Sequence, residues 1–208
     1  MKRLLIVTIP LLLLAGCFSL PRETLEIVRY SFHPAELAGP EGQEFDGALL
    51  ILPFSTASEQ HGDRIGYKEG DHEMETYYYH RWIAPPEQLM ADLLNEDMVH
   101  AGLFNDGVFM MTTGITPTHE LHGRMVKLYA DNRKNQQAAV VEIMLTVFRI
   151  QQPTYDKQLI LQKTYKYHID RENGRVESFV PAVTEAMTSW LVDVRTDMAT
   201  LLAEDQNG

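Results

Sequence analysis

Cysteine is nearly absent from this chain: Cys17 is the only one in 208 residues. A single thiol cannot close an intrachain disulfide, so the fold must rest on packing rather than covalent staples. Basic residues are also scarce, 18 Lys and Arg against 29 Asp and Glu, for a formal charge of −11. No run of Lys or Arg is present to meet phosphates, which argues against a nucleic-acid binder. Long apolar runs are missing as well. The one apolar stretch, Leu4 to Leu14, falls short of the roughly 20 residues a membrane-crossing helix needs. There is no Gly-x-Ser-x-Gly elbow, no Gly-Lys-Ser/Thr phosphate loop and no dinucleotide fingerprint, and no pair of carboxylates stands out. The sequence gives an enzymatic reading no support.

What is present begins at the N-terminus. Met1-Lys2-Arg3, the apolar run and then Ala15-Gly16-Cys17 form a charged region, a short hydrophobic region and a small-residue cleavage site, the layout of a secretory signal. Leu14-Ala15-Gly16-Cys17 resembles a bacterial lipobox, which implies cleavage after Gly16 and lipidation of Cys17. The expected covalent groups are a diacylglycerol on the sulfur and an N-acyl chain, and no other cofactor is expected. Several acyl chains together make a stable anchor, where one chain alone holds only marginally. Phe18-Ser19 follows the cysteine where an Asp would favour inner-membrane retention, so the expected place is the outer membrane, facing the periplasm. Residues 1–16 are then the signal, 17–26 the lipidated cysteine and a short tether, and 27–204 a single domain. From Phe18 to Glu26 the tether has nine residues, a reach of at most roughly 30 Å. Loss of Lys2 and Arg3 with the signal moves the formal charge from −11 to −13.

The domain reads as α+β. Ile27–Phe32 has the look of a first strand, ended by Pro34. Ala48–Leu52, apolar on both sides and bounded by Gly47 and Pro53, suits a strand buried on both faces. Arg64–Lys68 is a candidate short strand, and Glu75–Trp82 a longer aromatic one. Its alternation predicts Thr76, Tyr78, His80 and Trp82 on one face, with Tyr77, Tyr79 and Arg81 on the other. Pro85-Pro86 opens a helix whose apolar side is Leu89, Met90, Leu93, Leu94, Met98 and Val99, with Gly102 to end it. Strands are then predicted within 104–113 and over 119–130, 138–150 and 158–169. In the last, Leu159, Leu161, Tyr165, Tyr167 and Ile169 share a face, with Lys163 the exception. After Asn173-Gly174 a final helix is predicted from Phe179 to Leu202, with Ser178 as N-cap and Pro181 in its first turn. The sum is a mostly antiparallel sheet with two main helices on one face.

Few residues point to chemistry. His119-Glu120-Leu121-His122 superficially resembles a zinc motif, but that motif needs histidines four apart on a helix. Three apart on a strand, these two rings leave on opposite faces. His61, His72 and His80, near Asp63, Asp71 and Glu73, match no standard ligand spacing and read as polar-loop histidines. The Met and Leu stripes of both helices read as core. The segment Tyr77-Tyr78-Tyr79-His80-Arg81-Trp82 is more distinctive, because Tyr, Trp and Arg are enriched in interface hot spots. Tyr77, Tyr79, Arg81 and Trp82 are therefore the candidate partner-binding residues, against the alternative that the aromatics simply fill a core.

Leu52-Pro53-Phe54, Ile65-Gly66-Tyr67 and above all Arg81-Trp82-Ile83-Ala84-Pro85-Pro86-Glu87-Gln88-Leu89-Met90, following a lipobox, resemble the ABC-type transport auxiliary lipoproteins. That family includes the C component of the paraquat-inducible system. The resemblance implies a domain similar to the N-terminal domain of TolB, no catalysis, and partnership with an MCE-domain protein and its ABC transporter in moving lipid through the envelope. The acidic loop from Glu59 to Glu75 departs from the family pattern. The competing expectation is an outer-membrane assembly or binding lipoprotein with a protein or polysaccharide partner. If Cys17 is the anchor, Cys17→Ala moves the protein from the membrane to the soluble fraction. Its far-ultraviolet circular dichroism should not change; membrane recovery of the variant would contradict lipidation.

Overall fold

The structure, a computed structural model, describes residues 26–34, 44–57, 62–111, 114–134 and 136–206. Cys17 and its tether lie outside the described residues. Three long strands form the spine: β7 (His119–Arg133), β8 (Gln136–Gln151) and β9 (Asp156–Asp170), joined as antiparallel hairpins. Six shorter strands complete the sheet: β1 (Val28–Tyr30), β2 (Leu49–Ile51), β3 (Ser55–Thr56), β4 (Arg64–Lys68), β5 (Glu75–Trp82) and β6 (Val108–Phe109). Helix α1 spans Pro86–Ala101 and helix α2 spans Val176–Gln206. The domain is α+β with a mixed, mostly antiparallel sheet, as the sequence pattern indicates. The parallel pairs are short: β2, β3 and β4 run parallel to β7, β2 to β6, and β1 to β5.

Alternation along β8 sets the layers. Ala139, Val141, Ile143, Leu145 and Val147 are fully buried, and the residues between them are only partly covered. Onto the buried face α2 lays Phe179, Val183, Met187, Trp190, Val194 and Met198, all inaccessible to solvent. Burying a side chain of this kind contributes about 1.5–3 kcal/mol, so the seam dominates the packing. Helix α1 adds Met90, Leu94 and Met98, and a buried Asp97 accepts a 2.6 Å bond from Arg195 of α2. Proline at the first helical position and a left-handed Gly102 (φ 63°) bound α1 as predicted.

Other boundaries differ from the sequence expectation. Helix α2 starts at Val176, so Ser178 is inside it rather than its N-cap. The Ser178 hydroxyl instead donates back to the Asn173 and Arg175 carbonyls at 2.7 and 2.9 Å. Pro181 therefore stands beyond the first turn, where it removes the bond to the carbonyl of Glu177. The strand expected within 104–113 shrinks to Val108–Phe109, because only Leu49 and Leu50 of β2 are there to pair with it. In β9 the register slips between the rungs Val147–Leu161 and Phe148–Leu159. The slip turns Leu159 away from Leu161, leaving it 51% exposed. Lys163, the apparent exception, reaches Asp197 of α2 at 2.7 Å. The same carboxylate accepts the Tyr165 hydroxyl at 2.6 Å, and Asp193 accepts that of Tyr167 at 2.6 Å.

One contact is unusually close. A Cβ on Gly123 of β7 would sit 2.3 Å from the Phe54 ring, which in turn meets the Trp190 ring edge-on at 6.3 Å. Gly123→Ala should thus destabilise the fold by about 1–3 kcal/mol, the usual cost of overpacking. Pairing it with Phe54→Leu should cost less than the sum of the two single changes, because the clash disappears. Urea denaturation of the four variants measures this; strict additivity would refute the contact.

Candidate docking surface

The aromatic segment of β5 does not alternate as a regular strand would. Arg64 of β4 pairs with Arg81 and Gly66 with Thr76, so residues 77–80 of β5 stand opposite Ile65 alone. A bulge of this kind breaks period-2 alternation and re-aims side chains. Tyr77 and His80 turn to the same cluster. The Tyr77 ring packs on Tyr67 at 4.4 Å and edge-on to His80 at 5.9 Å, and His80 stacks on Tyr30 at 5.7 Å. The Tyr30 hydroxyl and His80 Nδ1 are 3.0 Å apart. Tyr78 and Tyr79 are left outside, edge to face at 4.8 Å, with Tyr78 71% exposed.

The cluster is wired to the rest of the sheet. Asn132 at the β7–β8 turn donates to the Tyr77 hydroxyl at 2.9 Å, and that hydroxyl donates to the Gly174 carbonyl at 3.3 Å. Asn132 accepts from Arg171, which is buried and also donates to the Asp131 and Arg175 carbonyls at 3.0 and 3.2 Å. Its guanidinium lies 5.6 Å from the Phe179 ring centre. Burial holds the Arg171 pKa below its ordinary value. The Tyr67 phenol is pushed up to about 12, first by its hydrogen bond to Glu75. Tyr67 therefore stays neutral near pH 7 and offers surface and a hydroxyl, not a nucleophile.

The four sequence-selected residues therefore separate. Trp82 is core: it is 1% exposed, edge-on to Phe32 at 5.4 Å and 6.0 Å from Phe179. Its assignment to a partner surface is corrected, since a side chain sealed between β1 and α2 has no face to offer. Tyr77 is half-buried in the cluster, and Arg81 reaches Asp63 at 3.4 Å. Only Tyr79 remains outward, beside Tyr78, which regular alternation placed with Trp82. The bulge that reverses these two roles has no sequence signature.

Charge differs between the layers. The helices carry Glu87, Asp92, Glu96, Asp97, Glu177, Glu185, Asp193, Asp197 and Glu204 against Arg195 among the described side chains. The helix-free face of the strand spine is mixed: Arg124, Lys127 and Lys166 stand among Glu120, Asp131 and Glu142, with a 2.9 Å ion pair between Lys127 and Glu142. Linear spacing hid this arrangement. Beside α1 lies a cavity of about 360 Å³, lined by Pro53, Phe54, Pro85, Glu87, Ala91 and Met110 among others.

The histidine pair divides as predicted, His119 toward Phe104 at 5.5 Å and His122 toward Glu120 at 2.5 Å. Among the described residues no group of three or more His, Cys, Asp and Glu is placed to hold a metal. Burial lowers His119 to about 4, with the Arg149 charge adding to it. Burial raises Glu120, but Lys157 at 2.6 Å and His122 outweigh it and hold the carboxyl below its ordinary value.

No family model and no curated protein matches the chain. Solved structures do match. Protein XCC0632 from Xanthomonas campestris, assigned to DUF330, superposes with a TM-score of 0.71 at 14% identity, over 87% of this chain and 100% of that one. A second structure, described only as an uncharacterized protein, gives 0.56 at 10% identity, over 82% and 99%. The chain shares the fold of these proteins along nearly its whole described length.

The buried His119 makes stability pH-dependent. Its folded pKa is below that of the unfolded chain, so the unfolded state takes up the proton first. Stability then falls as pH drops from about 6.5 towards 4. The Glu120 contribution is lost at lower pH still, as that carboxyl protonates. His119→Phe should flatten the denaturation midpoint between pH 7 and 5; an unchanged slope would show that His119 does not carry it.

Proposed function

We propose that this protein is a lipid-anchored, non-enzymatic subunit of an MCE/ABC-type envelope lipid-transport system. It is held by Cys17 at the outer membrane and docks on the periplasmic assembly. The observation that carries the reading is the corner between β5 and α1. There Arg81-Trp82 through Met90, the stretch that most resembles the auxiliary lipoproteins, places Trp82 and Met90 in the core and the prolines at the turn. The shared fold with the DUF330 structure supports the same reading without bearing on transport. In this role the domain supplies position. Joining an anchor to a docking surface raises the partner's effective concentration at that membrane with no new chemistry.

The outward pair Tyr78–Tyr79 is the aromatic part of that docking surface, on the same strand as the half-buried cluster of Tyr77 and His80. Rigid aromatics lose little entropy on binding, which suits an interface. Affinity purification of the intact lipoprotein from gently solubilised envelopes, followed by mass spectrometry, tests the assignment. An MCE-domain protein or an ABC transporter subunit should co-purify, and Tyr78→Ala with Tyr79→Ala should reduce its recovery several-fold. Recovery of unrelated envelope proteins alone would overturn it.

A further inference from the structure

Helix α1 begins with no side-chain cap on its first turn, and beside that turn lies the cavity of about 360 Å³ noted above. Its floor is apolar: Pro53, Phe54, Pro85 and Ala91, with Met110 on the far wall. The next residue, Met111, is 73% exposed, and Ile115 in the same loop is 46% exposed. Unbranched methionines adapt to varied partners and recur at binding surfaces. Ala91 is nearly inaccessible, so this small side chain leaves room where a larger one would fill the cleft.

The rim has one sign of charge. Glu87 and Asp92 line it, and α1 carries Glu87, Asp92, Glu96 and Asp97 with no Lys or Arg. Glu87 Oε2 is shielded from solvent and has no hydrogen-bond partner among the described residues. Asn95 Oδ1, two turns along the same helix face through Ala91, shares that condition. An unsatisfied buried acceptor is costly. A donor arriving from outside recovers that cost, so the cleft favours cations over neutral or anionic groups. Apolar floor, thioether wall and an acidic rim with one unsatisfied acceptor thus describe one kind of guest.

We propose that this cleft is a docking groove for a basic, apolar-anchored segment of a partner protein. An apolar side chain fills the space between Phe54, Ala91 and Met110, while a flanking Lys or Arg donates to Glu87. The proposal rests on the docking role and adds to it a second surface, apart from Tyr78–Tyr79, with the partner chemistry it takes. The guest binds as an amphipathic segment in a groove does. The acidic helix layer steers it from a distance, so binding should weaken as salt rises.

The test uses the full-length lipoprotein in an uncharged detergent, with its methionine methyls isotope-labelled. The probes are a twelve-residue helical peptide of Leu, Ala and Lys, and its twin with Glu in place of Lys. The basic peptide should shift the Met110 and Met111 methyl resonances and bind at least tenfold tighter than the acidic twin. Glu87→Gln combined with Asp92→Asn should remove most of that difference and leave the thermal midpoint in place. Equal binding of the two peptides would overturn the proposal, as would shifts at Met144 on the opposite sheet face in place of Met110 and Met111. So would no binding at millimolar peptide, detergent shifting the same two methyls and blocking the peptide, or undiminished binding to the doubly neutralised variant. None of these outcomes depends on whether an MCE protein co-purifies, so the groove and the transport assignment fail separately.

Discussion

The seam between α2 and β8 is the constraint on which the remainder of the molecule depends. Six side chains of α2 and five of β8 meet there with no solvent access, and at hydrophobic transfer values this is the largest favourable contribution in the fold. Because the side-chain period of a strand is two, the seam also fixes the register of β8, and β8 pairs with both β7 and β9 over nearly their whole lengths. A one-residue slip would exchange Val141, Ile143 and Leu145 for Val140, Glu142 and Met144. The cost of burying Glu142 excludes it.

Local irregularities are tolerated around that fixed spine, and they produce the surface. The bulge in β5 sits two strands from β7, opposite the buried Ile65 and just before the core Trp82, and it leaves Tyr78 and Tyr79 outward. Arg171 ties down the neighbouring chain ends. By binding Asn132, the Asp131 carbonyl and the Arg175 carbonyl, it joins the ends of β7, β9 and α2 beneath Tyr77. A buried guanidinium without a carboxylate is costly, yet carbonyl acceptors and the Phe179 ring satisfy much of it. The slip in β9 is the same event at another edge, and it exposes Leu159.

Two surfaces of different character result. The helix layer is acidic and carries an apolar cleft; the helix-free sheet face holds Arg124, Lys127 and Lys166 around partly covered Val140 and Met144.

Much of the architecture was legible in the chain itself. Period 3.6 in Val183, Met187, Trp190, Val194 and Met198, period two in β8, and Pro86 and Gly102 at the ends of α1 are local signals. Local backbone geometry enforces them wherever the chain lies, so they determined the elements and the α+β class. The candidate site was legible only in composition: an aromatic segment stood out, but which rings face outward depended on a bulge. Trp82 looked like Tyr78 on the strand, and only the packing of Phe32 and Phe179 decided that one is core and the other surface. Likewise the start of α2 moved upstream of Ser178, because the Asn173 turn and the seam beneath Phe179 outweigh a cap preference worth about 1 kcal/mol. The sequence alone determined periodicity and terminators, which are local; tertiary structure decided bulges, register slips and the gathering of charge, because each depends on neighbours distant in the chain.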